Sequence, residues 1–224
     1  MITYRNLNLI GSSHISVESI REVVKAVTEL KPAVVALELD ENRLLALMEK
    51  KKRKPSLADV RAFGIRGFLF SLIGAWAEKK LGKLVGTSPG DEMKAAVNAA
   101  AEQKAAVALI DRDIRDTIKS LFRQITWKEK FRFIWDILAG IFSKKARVEF
   151  DLRKVPKQEF ISGLIKQVKK RYPSVYNALI NERNLIMAKH LYSLMEQYKG
   201  VPVVAVVGAG HEEGIIRALN AAYK

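Results

Sequence analysis

The sequence contains no cysteine and only three histidines, and its apolar stretches are short. The absence of cysteine excludes disulfide bonds, thiolate metal ligands and thiol nucleophiles. No uncharged apolar stretch is longer than Gly67 to Ala77, which is too short to cross a bilayer as a helix. The first residues also lack the layout of a signal peptide, a positive end followed by an apolar segment. We therefore expect a cytoplasmic location, either free or at the inner face of the membrane.

Two of the three histidines occupy the same kind of position at opposite ends of the chain. His14 follows the apolar run at residues 8–10, and His211 follows the run at 203–207; each closes a Gly-x-x-His motif. A helical pattern comes after both motifs. In open parallel sheets, ligands bind beyond the carboxyl ends of the strands. The repeated pattern therefore predicts that the two imidazoles meet at one edge of a sheet.

The alternation of apolar runs with helical patterns predicts an α/β fold with a mainly parallel central sheet flanked by helices. The expected strands cover residues 6–10, 33–37, 105–110 and 203–207. We expect a single domain over residues 1–224. Within it, we expect a helical insertion at about 57–85 and a largely helical, basic insertion at about 124–172.

Each of the four expected strands is followed closely by polar residues, which are His14, Glu38, Asp111 with Arg112, and His211. Two imidazoles and a carboxylate suit a divalent metal, so the expected ligands are His14, Glu38 and His211. Water on such an ion is acidified and can attack a carbonyl, with Glu38 or a neighbouring acid taking its proton. Asp111 would orient a histidine. Arg43 or Arg112 would hold a carboxylate or a developing oxyanion.

Plainer explanations exist for the same residues. Gly11 and Gly208 can serve only as turn residues between strand and helix, and a histidine there can be a hydrogen-bonded turn residue. Gly208-Ala209-Gly210 is similar to a phosphate-binding turn. A dinucleotide fingerprint, however, needs a third glycine where this chain has Glu213, so no nucleotide is expected. Glu182-Arg183 lies in an apolar helical pattern, either as an internal ion pair or as support for the site.

The net charge of +15 is concentrated in the middle of the chain. Between Lys119 and Arg171 there are fifteen Lys and Arg against five Asp and Glu. Aromatic and aliphatic residues interleave with lysines from Trp127 to Lys145. We expect an exposed apolar and basic surface for self-association or for an anionic membrane; the alternative is a helix pair packed on its own domain with solvated lysines. Nucleic acid is not an expected partner, since no established binding motif is present.

Several motifs are similar to those of one known family. They are Leu9-Ile10-Gly11-Ser12-Ser13-His14, Leu37-Glu38-Leu39-Asp40 with Arg43, Gly90-Asp91-Glu92-Met93, Ile110-Asp111-Arg112-Asp113, Glu182-Arg183-Asn184, and Gly208-Ala209-Gly210-His211. In this order, and spanning nearly the whole chain, they resemble the TraB/PrgY/GumN family, which includes pheromone-shutdown proteins and the Tiki proteases. The basic middle carries no motif of this family.

The resemblance implies a fold related to the erythromycin-esterase and ChaN-like proteins. The Tiki branch implies a metal-dependent protease that uses manganese or cobalt, and the pheromone-shutdown branch implies blocking or degradation of a peptide signal. By resemblance, His14, Glu38 and His211 correspond to the metal or catalytic positions. The family's other polar positions correspond to Arg43, Glu92, Asp111, Arg112, Glu182 and Arg183. Many microbial relatives carry a membrane-spanning C-terminal part, whereas this sequence stops at Lys224.

The leading expectation is therefore metal-dependent hydrolysis of a peptide bond, with manganese, cobalt or zinc as the ion. The competing expectation is a non-catalytic regulatory module that sequesters a peptide or another small ligand in the same cleft. Self-association into a homo-oligomer is a further expectation for the apolar and basic surface.

Overall fold

The structure, a computed structural model, describes residues 1–12, 17–49, 90–142 and 158–222, with backbone alone at 137–142 and 158. The described residues contain one sheet with strand order β1-β2-β5-β3-β4. Its strands are β1 (Ile2–Tyr4), β2 (Leu7–Ser12), β3 (Val34–Leu37), β4 (Ala106–Leu109) and β5 (Val203–Gly208). β1 pairs antiparallel with β2, and all other pairs are parallel. The expected α/β fold with a mainly parallel sheet is confirmed.

Helices cover both faces of this sheet. They are α1 (Val17–Leu30), α2 (Glu41–Met48), α3 (Asp91–Glu102), α4 (Ile114–Gln124), α5 (Trp127–Phe142), α6 (Gln158–Arg171), α7 (Pro173–Tyr176), α8 (Glu182–Gln197) and α9 (Glu212–Ala222). A π-helical turn, Asn177–Asn181, joins α7 to α8. None of the described helices is long and apolar enough to span a bilayer.

The continuous apolar runs of β3 and β5 are explained by burial on both sides. Alternate side chains of a strand point to opposite faces, so each run supplies two cores. On one face, Val203 and Ala205 pack with Met187 of α8 and Ile215 of α9. On the other face, a second core joins β3 and β5 to α1 and α3. Each fully buried aliphatic side chain contributes about 1.5–3 kcal/mol.

Some expected local features differ from the structure. β1 was not expected, because its three residues are only partly buried and too short to show an apolar alternation. The expected insertion at 57–85 lies outside the described residues. The described parts of the 124–172 insertion are largely helical.

Gly11 lies inside β2 and not in a turn. The buried carboxyl group of Glu212, at the start of α9, accepts a hydrogen bond from the Gly11 N–H. A Cβ on Gly11 would lie 2.3 Å from the Cδ of Glu212, which is far inside contact distance. Gly11 is therefore not a turn residue as expected. A glycine is needed here because any side chain would occupy the space of the Glu212 carboxyl group.

Burial raises the pKa of Glu212 above its ordinary value, and the Gly11 hydrogen bond only partly opposes this. The folded chain therefore binds more protons at this site than the unfolded chain, and stability falls as the pH rises from about 4.5 through the raised pKa. Glu212→Gln keeps the acceptor oxygen but cannot ionise. We predict that the free energy of unfolding of Glu212→Gln rises relative to the wild type between about pH 4 and pH 7.

Denaturant unfolding at several pH values measures this difference. Glu213→Gln is the matched control, since Glu213 is the exposed next residue on the same helix. A difference between wild type and Glu212→Gln that stays constant over this pH range would contradict the prediction.

Candidate functional site

The parallel strands bring their polar carboxyl-terminal residues to one edge of the sheet. Glu38 follows β3 directly, and its N–H donates to the carbonyl of Val206 in β5 at 3.1 Å. Asp111 lies two residues beyond β4, and His211 lies three residues beyond β5. His14 lies outside the described residues. Its expected meeting with His211 therefore remains a prediction.

Arg183, in the first turn of α8, contacts all three of these polar side chains. Its Nε and Nη2 donate to the two carboxylate oxygens of Asp111 at 3.1 and 2.7 Å. Nη2 also donates to Oε1 of Glu38. Nη1 lies 3.2 Å from Nε2 of His211. One guanidinium group thus links α8 to the ends of three strands, and we call these four residues the Arg183 cluster.

The Arg183 cluster is largely removed from water. The side chains of Glu38 and Asp111 are 4% and 3% exposed, and that of Arg183 is 16% exposed. Burial by itself lowers the pKa of Arg183, but the hydrogen bond to Asp111 and the charge of Glu38 outweigh burial and raise the pKa above its ordinary value. The guanidinium therefore stays charged. Leaving the two buried carboxylates without it would be costly.

The second oxygen of Glu38 is held by the backbone. Oε2 accepts the N–H of Gly208, the last residue of β5, at 2.6 Å. Gly208 therefore serves the site through its N–H group. This interaction fixes the carboxylate so that Oε1 faces Nε2 of His211 at 3.4 Å.

His211 is oriented by Asn184, the residue after Arg183. Nδ1 of His211 lies 2.6 Å from Oδ1 of Asn184, and because an amide oxygen can only accept, Nδ1 carries the proton and Nε2 is the acceptor nitrogen of the neutral ring. Gly214 of α9 makes room for this contact, since a Cβ there would lie 1.9 Å from Nδ2 of Asn184. The arrangement directs the basic nitrogen of His211 towards Glu38 and Arg183.

Glu182 and Arg112 form a separate cluster beside the site. Nη1 of Arg112 lies 2.8 Å from Oε2 of Glu182, Nη2 donates to the carbonyl of Ala178, and Nε donates to Thr117. Ser120 donates to Glu182 at 2.7 Å. Burial opposes ionisation, but these hydrogen bonds lower the pKa of Glu182. Arg112 thus anchors the π-helical turn through Ala178, and π-helical turns are common near functional sites.

Arg43 is the more accessible arginine at this edge. Its side chain is 43% exposed, and Nη1 lies 3.5 Å from Oδ2 of Asp111 and 3.5 Å from the carbonyl of Glu38. The Arg43 N–H donates to Asp40, which caps α2. Arg43 can therefore bind an anionic group from solvent while it remains next to the cluster. Glu92 lies almost fully buried at the start of α3.

Three residues whose contacts the structure reveals were not expected from the sequence, namely Asn184, Gly214 and Glu212. Asn184 belongs to the Glu182-Arg183-Asn184 motif, and Glu212 directly follows the second Gly-x-x-His motif, so both stood next to recognised residues. Gly214 is adjacent to Glu213, the position that excluded a dinucleotide fingerprint. Its requirement comes from the packing of α9 on α8, which no local pattern reveals.

Within the described ranges, no group of three His, Asp or Glu side chains has the arrangement of a metal site. The donor atoms His211 Nε2 and Glu38 Oε1 lie 3.4 Å apart, and the third expected ligand, His14, lies outside the described residues. The part of the site that the structure describes is therefore a buried cluster of charges and hydrogen bonds with an accessible arginine beside it.

The fold and site define a three-layered α/β protein with a polar site at the strand ends, in which a buried arginine joins carboxylates and a histidine. The sequence places it more narrowly: the TraB/PrgY/gumN family model matches residues 2–222, and the chain belongs to this family.

The chain is similar to proteins from an archaeon and from mammals. It is 37% identical over 219 residues to an uncharacterized protein of Methanocaldococcus jannaschii, covering 96% of this chain and 53% of that protein. It is 25% identical over 233 residues to a TraB domain-containing protein of Homo sapiens, covering 92% of this chain and 61% of that protein. A TraB domain-containing protein of Mus musculus is also 25% identical. The chain thus spans about half to three fifths of the length of these relatives.

We predict that Arg183→Ala lowers the free energy of unfolding by about 3–5 kcal/mol, because it leaves Glu38 and Asp111 buried without their shared partner. Arg183→Lys should lose less, since the ammonium keeps the charge but cannot make the paired contact with Asp111. Denaturant unfolding measures both. Arg217→Ala, which removes an exposed arginine of α9, is the control and should change stability by less than about 0.5 kcal/mol.

We predict that Gly214→Ala disturbs the site more than the fold. The new Cβ displaces the Asn184 amide and with it the orientation of His211, whereas alanine itself favours a helix by about 0.5–1 kcal/mol. Gly163→Ala in α6 is the matched control, because a Cβ there meets nothing within 4 Å. NMR titration of the His211 ring should differ from wild type in Gly214→Ala and not in Gly163→Ala; unchanged His211 signals in both would contradict this role of Gly214.

Proposed function

We propose that this chain hydrolyses peptide bonds at the strand-end site, with a divalent metal ion held by Glu38, His211 and His14. The observation that carries the proposal is the geometry of His211. Asn184 holds Nδ1, so the lone pair of Nε2 faces a buried carboxylate oxygen of Glu38. Metal-binding histidines commonly have this arrangement, with the second ring nitrogen held by an oxygen acceptor.

The donor atoms of Glu38 and His211 fit a divalent ion. His211 Nε2 and Glu38 Oε1 are separated by 3.4 Å, which is close enough for one ion to contact both atoms. A nitrogen and a carboxylate oxygen suit manganese, cobalt or zinc. Both atoms also contact Arg183. Loading the site therefore requires the guanidinium to release these two atoms while it keeps its pair of bonds to Asp111.

The chemistry of the bound ion would be to acidify a water molecule and polarise the substrate carbonyl. Glu38 lies at the reacting edge and would accept the proton from that water. Asp111 holds Arg183, and Arg183 or the exposed Arg43 would donate to the anionic intermediate. Arg112 has its guanidinium nitrogens engaged by Glu182, Ala178 and Thr117, so we assign it a structural role.

A second candidate function is sequestration of a peptide without chemistry. The observation that favours it is the contact of Arg183 with Glu38, Asp111 and His211 at once, which gives each of these three side chains a partner within the protein. Arg43 would then bind a peptide carboxylate beside this cluster. The two candidates differ in whether metal enters and whether the peptide is cleaved.

The chain provides a matched histidine pair for the test. His190 is exposed on α8, where its Nδ1 donates to the carbonyl of Ile110 at 2.9 Å, whereas His211 belongs to the Arg183 cluster. We predict that His211→Ala lowers manganese, cobalt or zinc binding at least tenfold and abolishes cleavage of a peptide library. His190→Ala should leave both unchanged. Isothermal titration with each metal and mass spectrometry of the library measure the two effects.

Each outcome separates the candidates. Metal binding and cleavage that both depend on His211 support hydrolysis. Peptide binding without cleavage, in protein that has been given each metal, would replace it with sequestration. Equal metal binding by wild type and His211→Ala would show that the ion does not use this site.

A further inference from the structure

Helix α5 turns its most apolar side to solvent. Trp127, Phe131 and Trp135 lie one turn apart on one side of the helix and are 71%, 68% and 71% exposed. Ile134, on the same side, is 54% exposed. A helix of a globular domain normally places such residues in the core. We call this side of α5 the aromatic face.

The opposite side of α5 is polar and holds the helix to the domain. Glu129 is buried and accepts hydrogen bonds from the N–H of Ser174 at 2.8 Å and the N–H of Thr126 at 3.0 Å. Asp136, two turns further on, accepts hydrogen bonds from Arg171 and Tyr172. The helix is therefore attached by its carboxylates, the inverse of the usual arrangement.

These contacts fix the rotation of α5 about its axis. Burial alone would raise the pKa of Glu129, but the hydrogen bonds from Thr126 and Ser174 lower it to about 2. Hydrogen bonds from Arg171 and Tyr172 lower the pKa of Asp136 to about 2 as well. Both carboxylates stay ionised and bonded near neutral pH, so the aromatic face stays outward.

Basic residues border the aromatic face on both sides. At 100° per residue, Lys128 and Lys130 fall on opposite sides of the line through Trp127 and Phe131. Nζ of Lys130 lies 4.3 Å from the ring centroid of Trp127. These lysines belong to the stretch from Lys119 to Arg171, which holds fifteen basic and five acidic residues.

We propose that the aromatic face binds an anionic lipid surface, with α5 lying in the plane of the membrane. Tryptophan and phenylalanine between flanking lysines are the residues that place a helix at the level of lipid headgroups. Charge repulsion opposes self-association through this face, because two chains of net charge +15 would bring their basic borders together. Shape decides against single-stranded nucleic acid, which binds in a basic groove, whereas this face is the convex side of a helix.

Co-sedimentation with vesicles tests the proposal. The wild type should bind phosphatidylcholine vesicles that contain phosphatidylserine, and it should bind less at about 0.5 M than at about 0.1 M salt. Trp127→Ser and Trp135→Ser should each weaken binding about tenfold or more, whereas Val24→Ser on the exposed side of α1 should not. With Trp76, the third tryptophan of the sequence, replaced by Phe, the fluorescence of Trp127 and Trp135 should shift to the blue on binding.

Charge variants separate lipid attraction from general net charge. Lys128→Glu with Lys130→Glu should abolish binding. Lys25→Glu with Lys199→Glu changes the net charge equally at exposed sites outside α5, and this double variant should retain most of the binding. Circular dichroism verifies that the variants fold. Equal binding by the tryptophan variants and wild type would overturn the proposal. So would a stable dimer in light scattering that Trp135→Ser disrupts, or binding to single-stranded RNA in preference to vesicles.

Discussion

A buried arginine is the constraint on which the site depends. Arg183 comes from the first turn of α8, while Asp111, Glu38 and His211 come from three different strand ends. A buried carboxylate is tolerated only with a partner, and here two carboxylates share one guanidinium. The position of α8 on the sheet is therefore coupled to the charges at the sheet edge. A shift of α8 would leave the buried carboxylates of Glu38 and Asp111 without Arg183, and loss of the carboxylates would leave Arg183 without its partners.

Close packing beside the cluster sets the direction of each side chain. The Gly208 N–H and Arg183 hold the two oxygens of Glu38, and Asn184 holds the ring of His211. Gly214 lets α9 approach closely enough for Asn184 to fit. Such supporting contacts determine which lone pair faces the reacting edge, and small displacements of reacting groups have large effects on chemistry. The function of the site therefore rests as much on glycines and amides as on its charged residues.

In the part of the chain that the structure describes, the strand-end site and helix α5 use charged residues in opposite ways. At the strand ends, charges are buried and paired with one another. On α5, charges such as Glu129 attach the helix to the domain, and Trp127 and Trp135 face outward. A hydrophobic pattern alone would place those tryptophans in the core, because helical periodicity reports which residues share a face and not which face is buried. In α5, the hydrogen bonds to the carboxylates of Glu129 and Asp136 determine the rotation of the helix about its axis, and therefore which face is exposed.

The sequence alone determined the parallel strands, the order of helices between them, and the arrival of Glu38, Asp111 and His211 at one edge, because apolar runs and strand ends are local features. It also named Arg183, Glu182 and Arg112 as polar motif residues without showing which belong together. Tertiary structure decided that Glu182 pairs with Arg112 while Arg183 joins the strand ends. It likewise made Gly11 a packing position against Glu212 and not a turn. Such partners are distant in sequence, and only the packing of α8 and α9 on the sheet brings them within hydrogen-bonding distance.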